Sequence, residues 1–350
     1  MMNWNKFSNQ IKIEGKVYNN LPHNIETKFA KVNWLNHNVD FIKEFVSPQD
    51  FITVKTSGST GIPKSIKLKK STLVASALNT GEFLDLKKDQ SAFLCLPGNY
   101  IAGKMMIVRT FVLGLDLYWQ KPGSRPDIER DYDFAAMTPM QVENILKTDK
   151  SALNRIKKLI IGGASVNEYI HNEIQDLETQ IYESYGMTET ASHIALKKLN
   201  GKDKSDYFTV LNKIEIGIDL RSCLVLNKSN LHVKNIVTND IVELKDSKQF
   251  KWLGRADNII NSGGVKIIPE LIEKKLKPFL KNEFFIFAIE DEKYGQLPAI
   301  IIEGKKSDKI PDFSILNRFE IPRKVFYIDK LIRTDSGKVD RRRTVGRIIV

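Results

Sequence analysis

One short segment combines hydroxyls, glycines and a lysine in a pattern suited to binding an anion. It is the run Thr56-Ser57-Gly58-Ser59-Thr60-Gly61-Ile62-Pro63-Lys64, which directly follows an apolar, strand-like stretch at 51–54. Glycine allows consecutive backbone N–H groups to turn toward one anion, and hydroxyls with an ammonium group add further donors. The run predicts a loop that holds a polyphosphate, although a flexible surface turn has a similar composition.

The same run is not a Walker loop. In that motif a glycine directly precedes the lysine at the start of a helix, whereas Pro63 precedes Lys64 here. Proline has no N–H and a fixed φ, so a helix start that binds phosphate is disfavoured. A triphosphate is therefore expected in a hydroxyl-rich loop, and an ordinary ATPase is not indicated.

Four further motifs carry side chains suited to a nucleotide and its metal ion. They are Tyr185-Gly186-Met187-Thr188-Glu189-Thr190, Val237-Thr238-Asn239-Asp240, the segment from Gly254-Arg255-Ala256-Asp257 to Gly263-Gly264-Val265-Lys266, and Thr334-Asp335-Ser336-Gly337-Lys338. An aromatic face can stack on adenine, and a carboxylate can hold Mg²⁺. Each motif, taken alone, can also be explained by a purely structural role. A strand-end aspartate, for example, more often turns the chain than binds ribose.

The composition of the chain limits the classes of protein to which it can belong. A chain of 350 residues is long enough for two domains. Its net charge of +12 attracts anions such as nucleotides, coenzyme A or nucleic acid without choosing among them. Cys95 and Cys223 lie far apart in apolar segments, which favours buried free thiols over a disulfide. The polar N-terminus and short apolar runs predict neither a signal peptide nor a membrane span, and a cytoplasmic location is expected.

The hydrophobic pattern predicts an α/β fold with a second, smaller domain. Strand-like runs alternate with amphipathic helical stretches up to Tyr185, which indicates a largely parallel sheet covered by helices. The predicted strands are 92–96, 115–119, 134–137, 159–161 and 180–182, and the helices are 71–83, 102–113, 141–146 and 167–177. Consecutive strands at 213–226 and 231–244 predict a β-rich subdomain. A glycine-centred hairpin at 258–268, a helix at 269–280 and strands at 284–290 and 299–303 predict a small α+β domain.

In this order and spacing, the five motifs resemble those of the adenylate-forming superfamily of acyl-CoA synthetases, adenylation domains and luciferases. The resemblance covers roughly residues 50–343. It implies a large N-terminal domain, 1–254, and a small mobile C-terminal lid, 255–350. It also implies an acid–thiol ligase that uses ATP and Mg²⁺ to form an acyl-adenylate and then a thioester of coenzyme A.

The resemblance implies roles for individual residues. Those that would bind the ATP phosphates are Thr56, Ser57, Gly58, Ser59, Thr60, Gly61 and Lys64. Those that would bind adenine and ribose are Gly163, Ala164, Tyr185, Gly186, Asp240 and Arg255. Those that would carry the chemistry are Lys338, Thr188 and Glu189, the last as the Mg²⁺ ligand. Asp257 would be the hinge, and Gly263, Gly264 and Lys266 would bind coenzyme A.

Within the superfamily, the chain is most similar to the 2-succinylbenzoate–CoA ligases of menaquinone biosynthesis. The similar segments are Leu94-Cys95-Leu96-Pro97, 99–105 and 186–193. Such an acid is a dianion, so one carboxylate is activated and the other must be recognised. Candidates for the acyl pocket are Tyr100, Lys104, Arg109, Gly162 and His193. Lys104, Arg109 and His193 could bind the distal carboxylate, but an exposed helix face explains the two cations equally and a core position explains the histidine.

The sequence departs from the family pattern in several places. The part before the phosphate run is shorter than in most relatives, which is compatible with a homo-oligomer that covers the exposed surface. Tyr100 stands where many relatives have histidine, Asp240 lacks the usual preceding glycine, and Val265 replaces a frequent acidic residue. None of these changes removes a residue that would carry the chemistry.

Three other functions stay open at this point. The first is a ligase for another aromatic or short- or medium-chain acid, and the second is an adenylation enzyme that feeds a carrier protein. The third is a basic nucleic-acid-binding protein, indicated by Arg341-Arg342-Arg343 and the net charge. No aromatic RNA-binding platform or recognition helix accompanies those arginines, so a nucleic-acid partner is not expected.

Overall fold

The computed structural model describes residues 4–7, 9–29, 31–55, 65–231, 236–306, 312–334 and 339–348. The described residues form two compact units. The first contains 4–55, 65–215 and 227–231, and the second contains 216–226 and 236–348. The predicted domain boundary after Gly254 falls within the second unit and stays a prediction. The phosphate run, 56–64, and Lys338 lie outside the described residues.

The first unit consists of strands and helices in alternation. Its strands are β1 (Gln10–Ile13), β2 (Lys16–Asn19), β3 (Phe51–Lys55), β4 (Ser65–Lys69), β5 (Ser91–Leu94), β6 (Asp116–Trp119), β7 (Tyr132–Met137), β8 (Ile156–Ile161), β9 (Gln180–Gly186), β10 (His193–Lys198) and β11 (Phe208–Val210). Its helices are α1 (His23–Phe29), α2 (Asn36–Val46), α3 (Lys70–Phe83), α4 (Ile101–Leu113), α5 (Pro139–Asp149) and α6 (Glu168–Glu173). Short 3₁₀ turns lie at Trp4–Phe7, Asn33–Leu35, Lys150–Arg155 and Thr188–Thr190.

The predicted parallel sheet is confirmed. Within the first unit, nine strands lie in the order β11-β10-β9-β8-β7-β5-β6-β1-β2. Strands β9, β8, β7, β5 and β6 are parallel, and β10 and β11 continue the sheet antiparallel. Because the carboxyl ends of parallel strands meet at one edge, the loops after β5, β7, β8 and β9 are brought together there.

Helices α3 and α4 are buried on nearly all sides and pack against each other. Helix α6 is shorter than the predicted 167–177, because the chain turns after Glu173. Ile174 and Leu177 still reach the core through that turn. Apolar spacing alone therefore overestimated this helix.

Strands β3 and β4 form a separate antiparallel hairpin. Its register pairs Phe51 with Lys69 at the open end and Lys55 with Ser65 at the other. The phosphate run joins the two strands at the Lys55–Ser65 end. The predicted strand before that run is confirmed.

The later strands are β12 (Ile214–Ile218), β13 (Cys223–Ser229), β14 (Ile236–Leu244), β15 (Gln249–Arg255), β16 (Ile260–Ser262), β17 (Val265–Ile267), β18 (Phe284–Asp291), β19 (Gly295–Glu303) and β20 (Lys324–Ile328). The helices are α7 (Pro269–Leu276) and α8 (Arg341–Gly346), and a 3₁₀ turn lies at Ala256–Asn258. The expected strand at 213–226 is in fact two strands. They are divided by a turn in which Asp219 Oδ1 accepts the backbone N–H groups of Arg221 and Cys223, at 2.8 and 2.9 Å.

The C-terminal part of the second unit is a small sheet with α7 packed on it. Strand β19 pairs with β18, β16 and β20, and Ile272 and Leu276 of α7 pack against Ile286 and Ile300. The glycine-centred hairpin predicted at 258–268 is confirmed as β16–β17. Its turn places Gly263 and Gly264 at φ of 56° and 85°, which glycine adopts without a steric cost.

The end of the described chain is anchored by one arginine. Arg341 at the start of α8 donates two hydrogen bonds to Glu273 of α7, at 2.8 and 2.6 Å. It also donates to the carbonyl of Ile286 on β18 at 3.2 Å. Paired donors of this kind fit a carboxylate in one geometry, so α8 is fixed against α7 and β18.

The two cysteines are placed as expected. Cys95 and Cys223 are both buried free thiols. Across the part of the chain that the structure describes, no helix has the length and apolar character needed to cross a bilayer.

Candidate functional site

The predicted residues of the first unit gather at the carboxyl edge of its parallel sheet. Gly162 directly follows β8 and its N–H donates to the carbonyl of Met137, the last residue of β7, at 3.0 Å. Tyr185 and Gly186 end β9, so the second motif begins inside the strand and does not follow it as predicted. The Tyr185 ring is half-buried, with its centroid 5.8 Å from that of Phe208. One edge of the sheet thus carries Gly162, Gly163, Ala164, Tyr185 and Gly186.

The loop after β9 is held in a tight conformation. Thr190 Oγ donates to the carbonyl of Ser192 at 2.7 Å, and Ala191 has a φ of 64°. A positive φ is uncommon for a residue other than glycine and is often found at functional sites. Thr188 and Glu189 lie on the 3₁₀ turn of this loop, where Glu189 is exposed.

Strands β9 and β10 approach each other so closely at Gly186 that only glycine fits there. A Cβ at this position would lie 2.4 Å from both the Cα of His193 and the carbonyl oxygen of Ser192. These are backbone atoms, so β9 and β10 would have to separate.

A Gly186→Ala variant is therefore expected to lose about 1–3 kcal/mol of unfolding free energy. It should also lose activity, because Ser192 and His193 are displaced together. Gly123→Ala is the matched control, since a Cβ there meets no atom within 4 Å. Urea unfolding of both variants tests this, and equal stability of Gly186→Ala and wild type would contradict the close approach.

A buried polar network links α3, α4 and β10. Arg109 of α4 is only 2% exposed, and its Nη2 donates to Ser192 Oγ at 3.0 Å. Ser192 Oγ lies 3.3 Å from His193 Nδ1, and His193 Nε2 lies 3.1 Å from Thr80 Oγ1. Thr80 Oγ1 in turn donates to the carbonyl of Ser76 at 2.9 Å.

The donor and acceptor at each step follow from the two ends of the network, the Arg109 guanidinium and the Ser76 carbonyl. The guanidinium can only donate, so Ser192 Oγ accepts from it and its own proton points to His193 Nδ1. The Thr80 proton is used on the Ser76 carbonyl, so Thr80 Oγ1 must accept from His193 Nε2–H. Neutral His193 with its proton on Nε2 satisfies every hydrogen bond of the network.

The direction of the His193 pKa shift agrees with a neutral side chain. Burial, followed by the positive charge of Arg109, holds its pKa well below the usual 6.5. Burial also lowers the pKa of Arg109, to about 10, so the guanidinium stays charged at neutral pH. Among the described residues, no carboxylate forms an ion pair with Arg109, and its Nε has no hydrogen-bond partner.

The stability of the protein should fall below pH 6.5 because of His193. The unfolded histidine takes up a proton near 6.5, whereas the folded one does not, so acid favours the unfolded state. Between pH 7.5 and 5.5 this one group should cost about 1.4 kcal/mol of unfolding free energy. Urea unfolding of wild type and His193→Gln at both pH values measures it, and the same loss in both proteins would show that His193 is not a buried neutral group.

Lys104 does not join this network. It is buried on α4, with Nζ 3.3 Å from Glu44 Oε2 and 4.8 Å above the ring of Phe41. Glu44 Oε1 also accepts the N–H of Thr53 on β3, at 2.9 Å. The alternative of an exposed helix face is wrong for both cations, because α4 is buried all round and each cation has polar contacts inside the unit.

Asp240, Arg255 and Asp257 form one group in the second unit. Asp240 lies inside β14, not at its end as predicted, and faces Arg255 of β15 across the ladder. Its Oδ1 accepts from Trp252 Nε1 at 3.2 Å and lies 3.4 Å from Arg255 Nη1. Arg255 Nη2 also pairs with Asp257 at 2.6 Å, so the two predicted ribose ligands and the predicted hinge residue are in contact.

The remaining predicted residues are placed as follows. Gly263 and Gly264 form the β16–β17 turn, and Lys266 is exposed on β17. Tyr100 precedes α4 and is 52% exposed. Thr56, Ser57, Gly58, Ser59, Thr60, Gly61, Lys64 and Lys338 lie outside the described residues. Within the described ranges, no three acidic, histidine or cysteine side chains cluster to bind a metal.

Sequence reasoning missed Thr80 and Ser192. A usable signal was present on α3, where Thr72, Ser76 and Thr80 recur at intervals of four residues. That spacing puts three hydroxyls on one face of a helix that is otherwise mostly apolar. Ser192 had no comparable signal, because its role depends on the loop that precedes β10.

Comparison with known proteins identifies the family. Residues 14–214, more than half of the chain, match the AMP-binding enzyme family. An acyl-CoA synthetase (AMP-forming)/AMP-acid ligase II-like protein from Dyadobacter fermentans is 35% identical, with a TM-score of 0.63 over 91% of this chain and 95% of that one.

Two more distant relatives are named after the same acid. The 2-succinylbenzoate–CoA ligase of Listeria monocytogenes is 23% identical in an alignment that covers 83% of this chain and 69% of the relative. The O-succinylbenzoate Coenzyme A synthetase of Bacillus subtilis, solved with ATP and magnesium, has a TM-score of 0.69 at 19% identity, over 84% of this chain and 69% of that one. The chain belongs to the AMP-binding enzyme family, and it is an AMP-forming ligase with the adenylate-forming fold.

Proposed function

We propose that this ligase joins 2-succinylbenzoate to coenzyme A, as in menaquinone biosynthesis, at the expense of Mg-ATP. The observation that carries the choice of acid is the buried Arg109, which has no acidic partner among the described residues. The names of two relatives support the same substrate.

An unpaired buried cation is costly. A charge removed from water needs an opposite charge or several hydrogen bonds to offset the loss of hydration. Arg109 has one strong acceptor, Ser192 Oγ, a weak contact with Met106 Sδ at 3.7 Å, and the Phe134 ring at 5.9 Å. A substrate carboxylate would supply the missing charge.

The number of carboxylates on the acid then matters. A monocarboxylic acid uses its only carboxylate to attack ATP, so nothing is left for Arg109. A dicarboxylic acid has a second carboxylate that can pair with the guanidinium while the first one reacts. Lys104 is assigned no part in this recognition, because Glu44 already neutralises it.

The first half-reaction joins the acid to AMP. A carboxylate oxygen of the acid attacks the α-phosphorus of ATP, the bond to the bridging oxygen breaks, and pyrophosphate leaves. The hydroxyl-rich run 56–64 would hold the β- and γ-phosphates, Thr188 the α-phosphate, Tyr185 the adenine, and Asp240 with Arg255 the ribose. Lys338 would stabilise the charge that develops on the attacking and bridging oxygens.

A magnesium ion fits the donor set of this loop. Mg²⁺ prefers oxygen ligands and commonly binds one protein carboxylate together with substrate phosphates, and Glu189 offers an exposed carboxylate on the turn after β9. The ion would neutralise charge on the phosphate oxygens.

The second half-reaction forms the thioester. The thiolate of coenzyme A attacks the acyl carbonyl, and AMP leaves with the electron pair of the broken bond. Rotation at Asp257 would remove Lys338 and bring Gly263, Gly264 and Lys266 to the coenzyme. In the described conformation Asp257 is held by Arg255 and by Asn239 Nδ2, at 2.6 and 3.0 Å.

Pyrophosphate release with Mg-ATP and coenzyme A tests the proposal. The acids would be 2-succinylbenzoate, benzoate, a medium-chain fatty acid and acetate, each assayed separately. Turnover of 2-succinylbenzoate at a kcat/KM at least a hundredfold above the others is expected. Efficient use of a monocarboxylic acid instead would keep the ligase and contradict the assigned acid.

A further inference from the structure

Helix α3 carries a stripe of hydroxyls on the face that meets the polar network. Thr72 Oγ1 donates to the carbonyl of Leu231 at 2.7 Å, and Thr80 Oγ1 contacts His193. Ser76 lies between them, one helical turn from each. Its side chain therefore faces the space between Leu231 and His193.

Ser76 differs from Thr72 and Thr80 because its hydroxyl has no hydrogen-bond partner in the described part of the chain. It is 1% exposed, and its Oγ makes no hydrogen bond with the described residues. Only two other buried side-chain atoms in the described part of the chain share this property, and one of them is Arg109 Nε. Two of the three unsatisfied atoms thus lie on the adjacent helices α3 and α4.

Unsatisfied buried donors are rare in folded proteins and call for an explanation. An apolar residue would fill the position of Ser76 at no such cost, because a buried hydroxyl without a partner loses about 1–3 kcal/mol. Both Ser76 O–H and Arg109 Nε–H are donors, so the missing group is an acceptor. A carboxylate has two oxygens and can accept from both.

We propose that Ser76 is a specificity-determining residue that donates a hydrogen bond to the distal carboxylate of the acid, beside Arg109. This assignment rests on the proposed use of a dicarboxylic acid. Ser76 adds no charge, so its contribution is directional: it fixes the orientation of a carboxylate that Arg109 attracts.

Ser76→Ala and three substrates test the assignment. The substrates are 2-succinylbenzoate and its two monocarboxylate analogues, 2-butanoylbenzoate and 4-oxo-4-phenylbutanoate, each of which lacks one carboxylate. For 2-succinylbenzoate the variant should raise KM about tenfold or more, as for a hydrogen bond to a charged group. The KM for ATP should be unchanged. For whichever analogue is turned over, wild type and variant should have the same kcat/KM.

The stability of the substrate-free protein gives an independent readout. Ser76→Ala removes an unsatisfied hydroxyl, so its melting temperature should equal or exceed that of wild type. Thr179→Val is the matched control, since Thr179 is equally buried but donates to the carbonyl of Leu153 at 2.6 Å. That control should melt lower and keep its KM for the acid.

The outcomes separate this inference from the proposed function. Wild-type turnover of 2-succinylbenzoate with an unchanged KM in Ser76→Ala would contradict the role of Ser76 alone. An equal rise in KM for the monocarboxylate analogue would also contradict it, because the effect would not depend on the distal carboxylate. No wild-type turnover of 2-succinylbenzoate would contradict both the substrate and the inference that rests on it.

Discussion

An Arg109→Met variant is expected to lose at least about 30-fold in kcat/KM for 2-succinylbenzoate. Methionine has a similar length and no charge, so the distal carboxylate would enter a buried site without a counter-charge. Removing one partner of a buried charge pair typically costs 2–5 kcal/mol, which corresponds to a loss of about 30-fold to several thousandfold. The analogue that lacks the distal carboxylate should be used as well by the variant as by wild type, or better.

The substrate-free variant should not be destabilised. Replacement of an unpaired buried cation by an apolar side chain removes a desolvation cost, so the unfolding free energy of Arg109→Met should equal or exceed the wild-type value. Lys104→Met is the matched control, because it lies on the same helix and its cation is already paired with Glu44. That control should lose stability but keep its selectivity for the dicarboxylic acid. An Arg109→Met protein that still prefers the dicarboxylic acid would contradict the assigned site.

A Lys338→Ala variant is expected to lose the first half-reaction and keep the second. The lysine would act on charge that develops when pyrophosphate leaves, and removal of one such group costs about 10²–10³ in rate. Thioester formation from a supplied acyl-adenylate releases no pyrophosphate, so its rate should stay within a few fold of wild type. Single-turnover assays of each half-reaction measure both.

The residues on either side of Lys338 are held in place. Val339 pairs with Arg333, and Arg341 is fixed by Glu273. A fold defect is therefore not expected from the alanine substitution. Lys330→Ala, an exposed lysine of the same unit, is the control and should leave both rates unchanged. Equal losses in both half-reactions of Lys338→Ala would refute its assigned role.

The sequence predicted the parallel sheet of the first unit and the glycine turn of the β16–β17 hairpin. Alternating apolar runs identified β5 to β9, because strands buried on both faces are short and nearly all apolar. The β16–β17 turn was predicted from Gly263 and Gly264, because that turn needs positive φ.

The polar network around Arg109 could not be predicted in the same way. Arg109 and His193 were both candidates, but their connection runs through Ser192 and Thr80, which come from a loop and another helix. Lys104 is a cation like Arg109 and lies only five positions away on α4. Their contacts differ because Glu44 of α2 meets one face of the helix and Ser192 meets another, and such tertiary contacts leave no local pattern.

The most direct test of the account is a competition between acids in one reaction. Wild-type protein would be incubated with Mg-ATP, coenzyme A and equal concentrations of 2-succinylbenzoate, benzoate, a medium-chain fatty acid and acetate, and the thioesters would be identified by mass spectrometry. The account predicts that 2-succinylbenzoyl-CoA is the dominant product and that AMP and pyrophosphate form in equal amounts with it. A different thioester as the main product, or ADP in place of AMP, would contradict it.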